Sequence, residues 1–187
     1  MMGGDSMEEK GRDALCPSRR QFLIAGGGVT ATVLLSSVFP GAAFGAREVR
    51  LTTYPEKKVA ALGQLKANVP VAFKYPYDDL HSGSFIVKLG VPAGGGVGAN
   101  QDIVAFNALC THMGGPLMGS YKAQHKVMGP CPLHLTTFDL TRHGMVVAGH
   151  ATAPLPQVVL EVTGQDIYAT AIVGLIYGYN DNLAGKA

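Results

Sequence analysis

Cys110-Thr-His112-Met-Gly114 and Cys131-Pro-Leu-His134 decide how this chain is read. Each segment sets a thiol and an imidazole a few residues apart, and 18 residues, 113–130, lie between His112 and Cys131. Two sulfurs and two ring nitrogens can hold a zinc ion or a mixed-ligand iron–sulfur cluster. Working outward, short β-type runs separated by turn residues flank both segments. They lie at 49–54, 69–75, 84–89, 103–106, 137–141, 145–148, 158–162 and 167–173. Arg142-His143-Gly144 and Thr163-Gly-Gln-Asp166 read as hairpin turns. The one helical candidate is 60–65, and Gly94-Gly95-Gly96 lacks the strand-and-helix setting of a phosphate loop. The expectation is an all-β fold of antiparallel sheets whose loops, 109–115 and 130–135, carry the ligands.

Composition agrees. The 187 residues are 47% hydrophobic and 15% charged, which excludes a disordered chain, and 25 glycines with 11 prolines imply many turns. A net charge of +2, with no basic stripe, argues against a nucleic-acid partner. No nucleophile–base pair, paired-carboxylate motif or nucleotide loop emerges, so substrate chemistry is expected on another subunit.

Ser18-Arg19-Arg20-Gln-Phe-Leu23 sets twin arginines before a weakly apolar stretch that has no charged residue from Gln21 to Ala46. Residues 1–45 therefore resemble a twin-arginine export signal, with small residues for cleavage near Gly45 or Ala46. The alternative is a retained membrane anchor over 22–39. That export route carries proteins already folded around cofactors, which suits a cluster better than zinc. The expected location is the periplasm. Cys16 would leave with the leader, so the mature part, 46–187, keeps only Cys110 and Cys131. A disulfide between them is the plain alternative to metal binding.

Cys110-Thr-His-Met-Gly and Cys131-Pro-x-His134 resemble the two cluster boxes of Rieske proteins, and Ala153-Pro154-Leu-Pro156 resembles the proline loop over that cluster. The resemblance implies a Rieske-type fold with a cluster-binding lobe near 103–158. It also implies one [2Fe–2S] cluster, held by Cys110 and Cys131 on one iron and by His112 and His134 on the other. Val49-Arg-Leu-Thr-Thr-Tyr54, the segment 102–114 and Gly174-Leu-Ile-Tyr-Gly178 further resemble the small subunits of arsenite oxidase. That likeness implies a large molybdopterin subunit as partner, in a heterodimer or a dimer of heterodimers, and a soluble acceptor such as a cytochrome c. Alternatives are a Rieske subunit of a quinol-oxidising cytochrome complex and a zinc-stabilised interaction module.

The chain departs from the Rieske pattern in three ways. Gly115 and Leu133 stand where many members have the cysteines of a disulfide that clamps the two loops. Leu135 replaces a common glycine. Thr136 and Phe138 stand where a serine and a tyrosine donate hydrogen bonds to cluster sulfurs. Thr136 keeps one donor and Phe138 loses the other. Met113, Leu117, Met118, Leu133 and Leu135 form an apolar collar suited to docking, while His81, His125, His143 and His150 read as surface or turn residues without a ligand role. Donors to cluster sulfur favour the reduced, more negative state. Phe138→Tyr is therefore expected to raise the reduction potential in voltammetry; an unchanged or lower value would contradict this.

Overall fold

The computed structural model describes residues 53–182. The expected leader, residues 1–45, and positions 49–52 of the first expected strand lie outside them. Ten strands follow in order: β1 Lys57–Ala61, β2 Val71–Lys74, β3 Gly83–Lys88, β4 Ile103–Asn107, β5 Tyr121–Lys122, β6 Val127–Met128, β7 Thr137–Asp139, β8 Met145–Ala148, β9 Gln157–Thr163 and β10 Asp166–Val173. They make a six-stranded sheet, β1-β10-β9-β4-β3-β2, and a four-stranded sheet, β5-β6-β7-β8. Every paired strand is antiparallel.

The central strands β3 and β4 explain the packing. Side chains alternate faces along a strand. Phe85, Val87, Val104 and Phe106 join one core, and Ile86, Ile103 and Ala105 join another. Both faces are covered, so these strands read as unbroken apolar runs. The first core continues into the smaller sheet through Met128, Phe138 and Leu140, and it includes Cys110 and Cys131. The second is closed by Val158, Leu160, Ile167 and Ala169 of the β9–β10 hairpin. The ligand sulfurs are thus packed into the same apolar mass that joins the sheets.

Two sequence expectations change. The first strand among the described residues is Lys57–Ala61, and Thr53 and Tyr54, the described end of the strand expected at 49–54, are not in a strand. The helical candidate at 60–65 dissolves: Ala60 and Ala61 complete β1, and only Leu62–Gln64 make one 3₁₀ turn. The cause is pairing. Ala60 and Ala61 lie opposite Ile167 and Asp166 of β10, and the Leu62 N–H donates to Gln165 O at 2.8 Å. The two-residue strands β5 and β6 have no counterpart in the sequence reading, because two residues show no period.

The rings of Phe85 and Phe106 lie 6.1 Å apart, both fully buried. Phe106→Ala is expected to cost ~3–5 kcal/mol by urea unfolding, the range for a buried aromatic truncated in a packed core.

Candidate metal centre

β4 delivers the first ligand loop and β6 and β7 flank the second. The loops share one backbone closure. In the first, the Cys110 N–H donates to Gly115 O at 2.9 Å and the Gly114 N–H donates to Cys110 O at 2.8 Å. In the second, the Cys131 N–H donates to Thr136 O at 2.8 Å and the Leu135 N–H donates to Cys131 O at 2.9 Å. Each cysteine is thus bonded to the fourth and fifth residues after it. The fourth residue is left-handed in both, Gly114 at φ 67° and Leu135 at φ 63°. The unequal spacing of the histidines, at two and three residues, hides this equivalence in the sequence.

Cys110 and Cys131 are both buried and unpaired, so the disulfide alternative does not hold in this structure. The histidine rings face outward: His112 is half-buried, His134 is exposed, and their centroids lie 4.7 Å apart at 83°. His112 Nδ1 is buried without a hydrogen-bond partner, the condition of a ring nitrogen reserved for a metal. Burial pushes the Cys110 thiol up, and neighbouring Cys131 adds to this. The His112 backbone N–H and the Thr136 hydroxyl, both hydrogen-bonded to the Cys110 side chain, act against it. Among the described residues, no three His, Cys, Asp or Glu side chains converge closely enough to hold one metal ion.

A Rieske [2Fe-2S] domain model matches residues 57–159. The chain belongs to the Rieske family. Its cofactor is a [2Fe–2S] cluster, and the sulfur-in, imidazole-out arrangement fits it. The chain is 57% identical over 176 residues to iodate reductase subunit IdrB of Denitromonas iodatirespirans, covering 94% of this chain and 92% of that protein. It is 55% identical over 165 residues to the subunit of the same name in Pseudomonas sp. strain SCT, covering 88% and 84%. Likeness to the cytochrome bc1 complex Rieske iron-sulfur subunit of Streptomyces lividans is 34% over 67 residues, 36% of this chain and 38% of that one. The soluble domain of Rieske protein II (soxF) from Sulfolobus acidocaldarius shares the fold, with a TM-score of 0.60 at 24% identity over 68% of this chain and 83% of that one. The relatives spanning nearly the whole chain are named for iodate, so the arsenite reading narrows here to a Rieske subunit of an oxidoreductase.

Around the ligands, Thr136 is fully buried, and its Oγ1 accepts the His150 N–H at 3.1 Å. With that contact filled, its own proton is free to point at Cys110. Phe138 is buried in the same core as both cysteines. A Cβ added at Gly115 would lie 2.5 Å from Cys131 Sγ and 3.1 Å from Leu133 Cγ. The two positions lacking cysteine therefore do face each other, and Leu133 fills the gap. The proline loop is tied down by Thr111 Oγ1, which donates to Ala153 O at 2.8 Å beside Pro154.

One collar residue is misread in the sequence. Leu117 is fully buried in the core with Cys110, so it packs the loop and presents nothing to a partner. Met113, Met118, Leu133 and Leu135 are exposed. His150, read as a surface or turn residue, is exposed, and its ring lies 5.7 Å from that of His112. Asn107 was missed: its Oδ1 accepts the Leu109 N–H at 3.0 Å and its Nδ2 donates to His81 O at 2.8 Å, fixing the start of the first loop. An Asn ending a strand and bonding two residues on is a recognised turn signal that could have found it. Thr136→Val removes the donor to Cys110 while keeping the side chain's shape. It is expected to lower the reduction potential by about 60 mV, equivalent to ~1.4 kcal/mol for one electron. Voltammetry on cluster-loaded protein checks this.

Proposed function

We propose that this chain is the electron-carrying Rieske subunit of an exported oxidoreductase of the iodate reductase kind. The observation that carries the reading is 57% identity extending over 94% of this chain and 92% of an iodate reductase subunit. Likeness to the quinol-oxidising type covers 36% of the chain, which disfavours that alternative. Cys110 and Cys131 would hold one iron and His112 and His134 the other. When bound, the cluster supplies a one-electron redox couple. The chain's own residues bury the sulfur end, turn the imidazole end toward the surface and aim the Thr136 proton at Cys110.

The partner is a large catalytic subunit, and the resemblance to arsenite oxidase gives it a molybdopterin. A periplasmic cytochrome c or similar protein exchanges electrons at the other end. The twin arginines at Arg19 and Arg20 support periplasmic export of the loaded, folded chain. Met113, Leu133 and Leu135 form the docking collar. Leu135 supports this most directly: it is 66% exposed at φ 63°, where an L-residue other than glycine costs roughly 1–2 kcal/mol. Glycine would relieve that strain, so the exposed leucine serves contact rather than folding.

Iodate and arsenite reverse the direction of flow. Iodate takes electrons, so the cluster passes them to the large subunit; arsenite gives electrons, so the cluster receives them. With the native complex purified from the periplasm, iodate is expected to abolish the EPR signal of the reduced cluster. Arsenite is expected not to restore it. Reduction by arsenite with no response to iodate would establish the arsenite oxidase reading instead, and no response to either would remove both.

A further inference from the structure

After β10, residues 174–182 run beside the first ligand loop as a strap anchored at several points. Ile176 is fully buried in the second core. Asn182 folds the segment on itself: its Nδ2 donates to Gly174 O at 2.6 Å and its Oδ1 accepts the Ile176 N–H at 3.1 Å. The Tyr77 hydroxyl donates to Asn182 O at 2.9 Å. The Tyr179 hydroxyl donates to the Asp79 carboxylate and lies 3.2 Å from Ser82 Oγ, while its ring stands edge-on to His81 at 5.5 Å. Burial, followed by the bond to Asp79, pushes Tyr179 up to about 12, so this anchor keeps its proton through the ordinary pH range.

The anchored strap carries the Tyr177 ring onto the first loop. A Cβ added at Gly114 would lie 2.4 Å from Tyr177 Cε1 and 2.5 Å from Cδ1, so the ring rests on the glycine's bare α-carbon. Behind Tyr177, a Cβ at Gly178 would lie 2.4 Å from His81 Cε1. Both glycines are left-handed, Gly114 at φ 67° and Gly178 at φ 92°, so backbone conformation and close approach each demand the missing side chain. Gly114 is the residue whose N–H closes the ligand turn onto Cys110 O. A ring held against it restrains the turn that sets Cys110 and His112. A groove of about 340 Å³, lined by Thr111, Ala153, Pro154 and residues 174–179, runs along the strap beside the first loop.

We propose that Tyr177 is a positioning residue for the first ligand loop. The strap 174–182, fastened through Tyr179 and Asn182, presses the Tyr177 ring on Gly114 and supplies restraint that the missing Gly115–Leu133 disulfide would otherwise give. The ring, and not the hydroxyl, does this.

The test compares cluster-loaded native protein with Tyr177→Ala and Tyr177→Phe. Chelator-driven loss of the cluster is followed by bleaching of its visible absorption, and amide exchange is read at 110–115 and across both sheets. Tyr177→Ala is expected to lose the cluster about tenfold faster, equivalent to ~1.4 kcal/mol. Exchange should rise at Gly114 and Gly115 but stay unchanged in β3, β4 and β9. Tyr177→Phe should behave as native. Native-like cluster loss in Tyr177→Ala overturns the proposal, as does a rise in exchange spread evenly over both sheets. Should Tyr177→Ala fail to accumulate, Tyr179→Phe releases the anchor without emptying the core. Faster cluster loss with exchange raised at 110–115 would then support the proposal, and native behaviour would overturn it.

Discussion

The closure of each ligand cysteine onto the fourth and fifth residues after it is the constraint on which the structure depends. Two backbone hydrogen bonds per loop turn a flexible segment into a rigid cup with the sulfur at its base. The closure needs a left-handed residue, which Gly114 supplies without strain and Leu135 supplies under strain. It also needs fixed loop ends. β4 and Asn107 fix the first loop; the β6–β7 pair, with Met128 opposite Phe138, fixes the second. Remove the sheets and the cups would have no reason to face each other.

Holding two such cups together without a disulfide is the second requirement. A disulfide contributes roughly 2–4 kcal/mol, and a single net hydrogen bond ~0.5–1.5 kcal/mol. Asn107 bonds to Leu109 and to His81, and Thr111 bonds to the proline loop at Ala153. Those three bonds fasten the first loop to its own surroundings. The close packing of Gly115 against Cys131 and Leu133 adds direct contact across the loops. Restraint that other members concentrate in one covalent bond is here spread over several weak contacts, and the cluster completes it when bound.

The same economy marks the electronic surroundings of the sulfurs. Thr136 accepts the His150 N–H and acts on the Cys110 thiol against the upward push of burial, so one hydroxyl bears on three chain segments. Phe138, buried with the cysteines, contributes packing but no proton. A site with one such donor in place of two favours the reduced state less.

Much of this protein was legible without coordinates. Cys110, His112, Cys131 and His134 announce themselves because metal chemistry demands those residue types on short loops. β3 and β4 are visible because strands buried on both faces are continuous apolar runs, and β10 because its buried Ile167 and Ala169 alternate with less buried residues. The sequence was misleading where local pattern competes with partners distant in the chain. Residues 60–65 look mildly helical, but Ala60 and Ala61 pair with β10; Leu117 looks like collar but is buried in the core with Cys110. His150 and Tyr177 carry no local mark of the site, since they reach it from other loops. Residue chemistry and spacing by themselves single out the candidate ligands of the cluster. Which side chains orient those groups was decided by tertiary structure, because hydrogen bonds and ring contacts between distant segments, as from Thr111 to Ala153 across 42 residues, leave no period in the sequence.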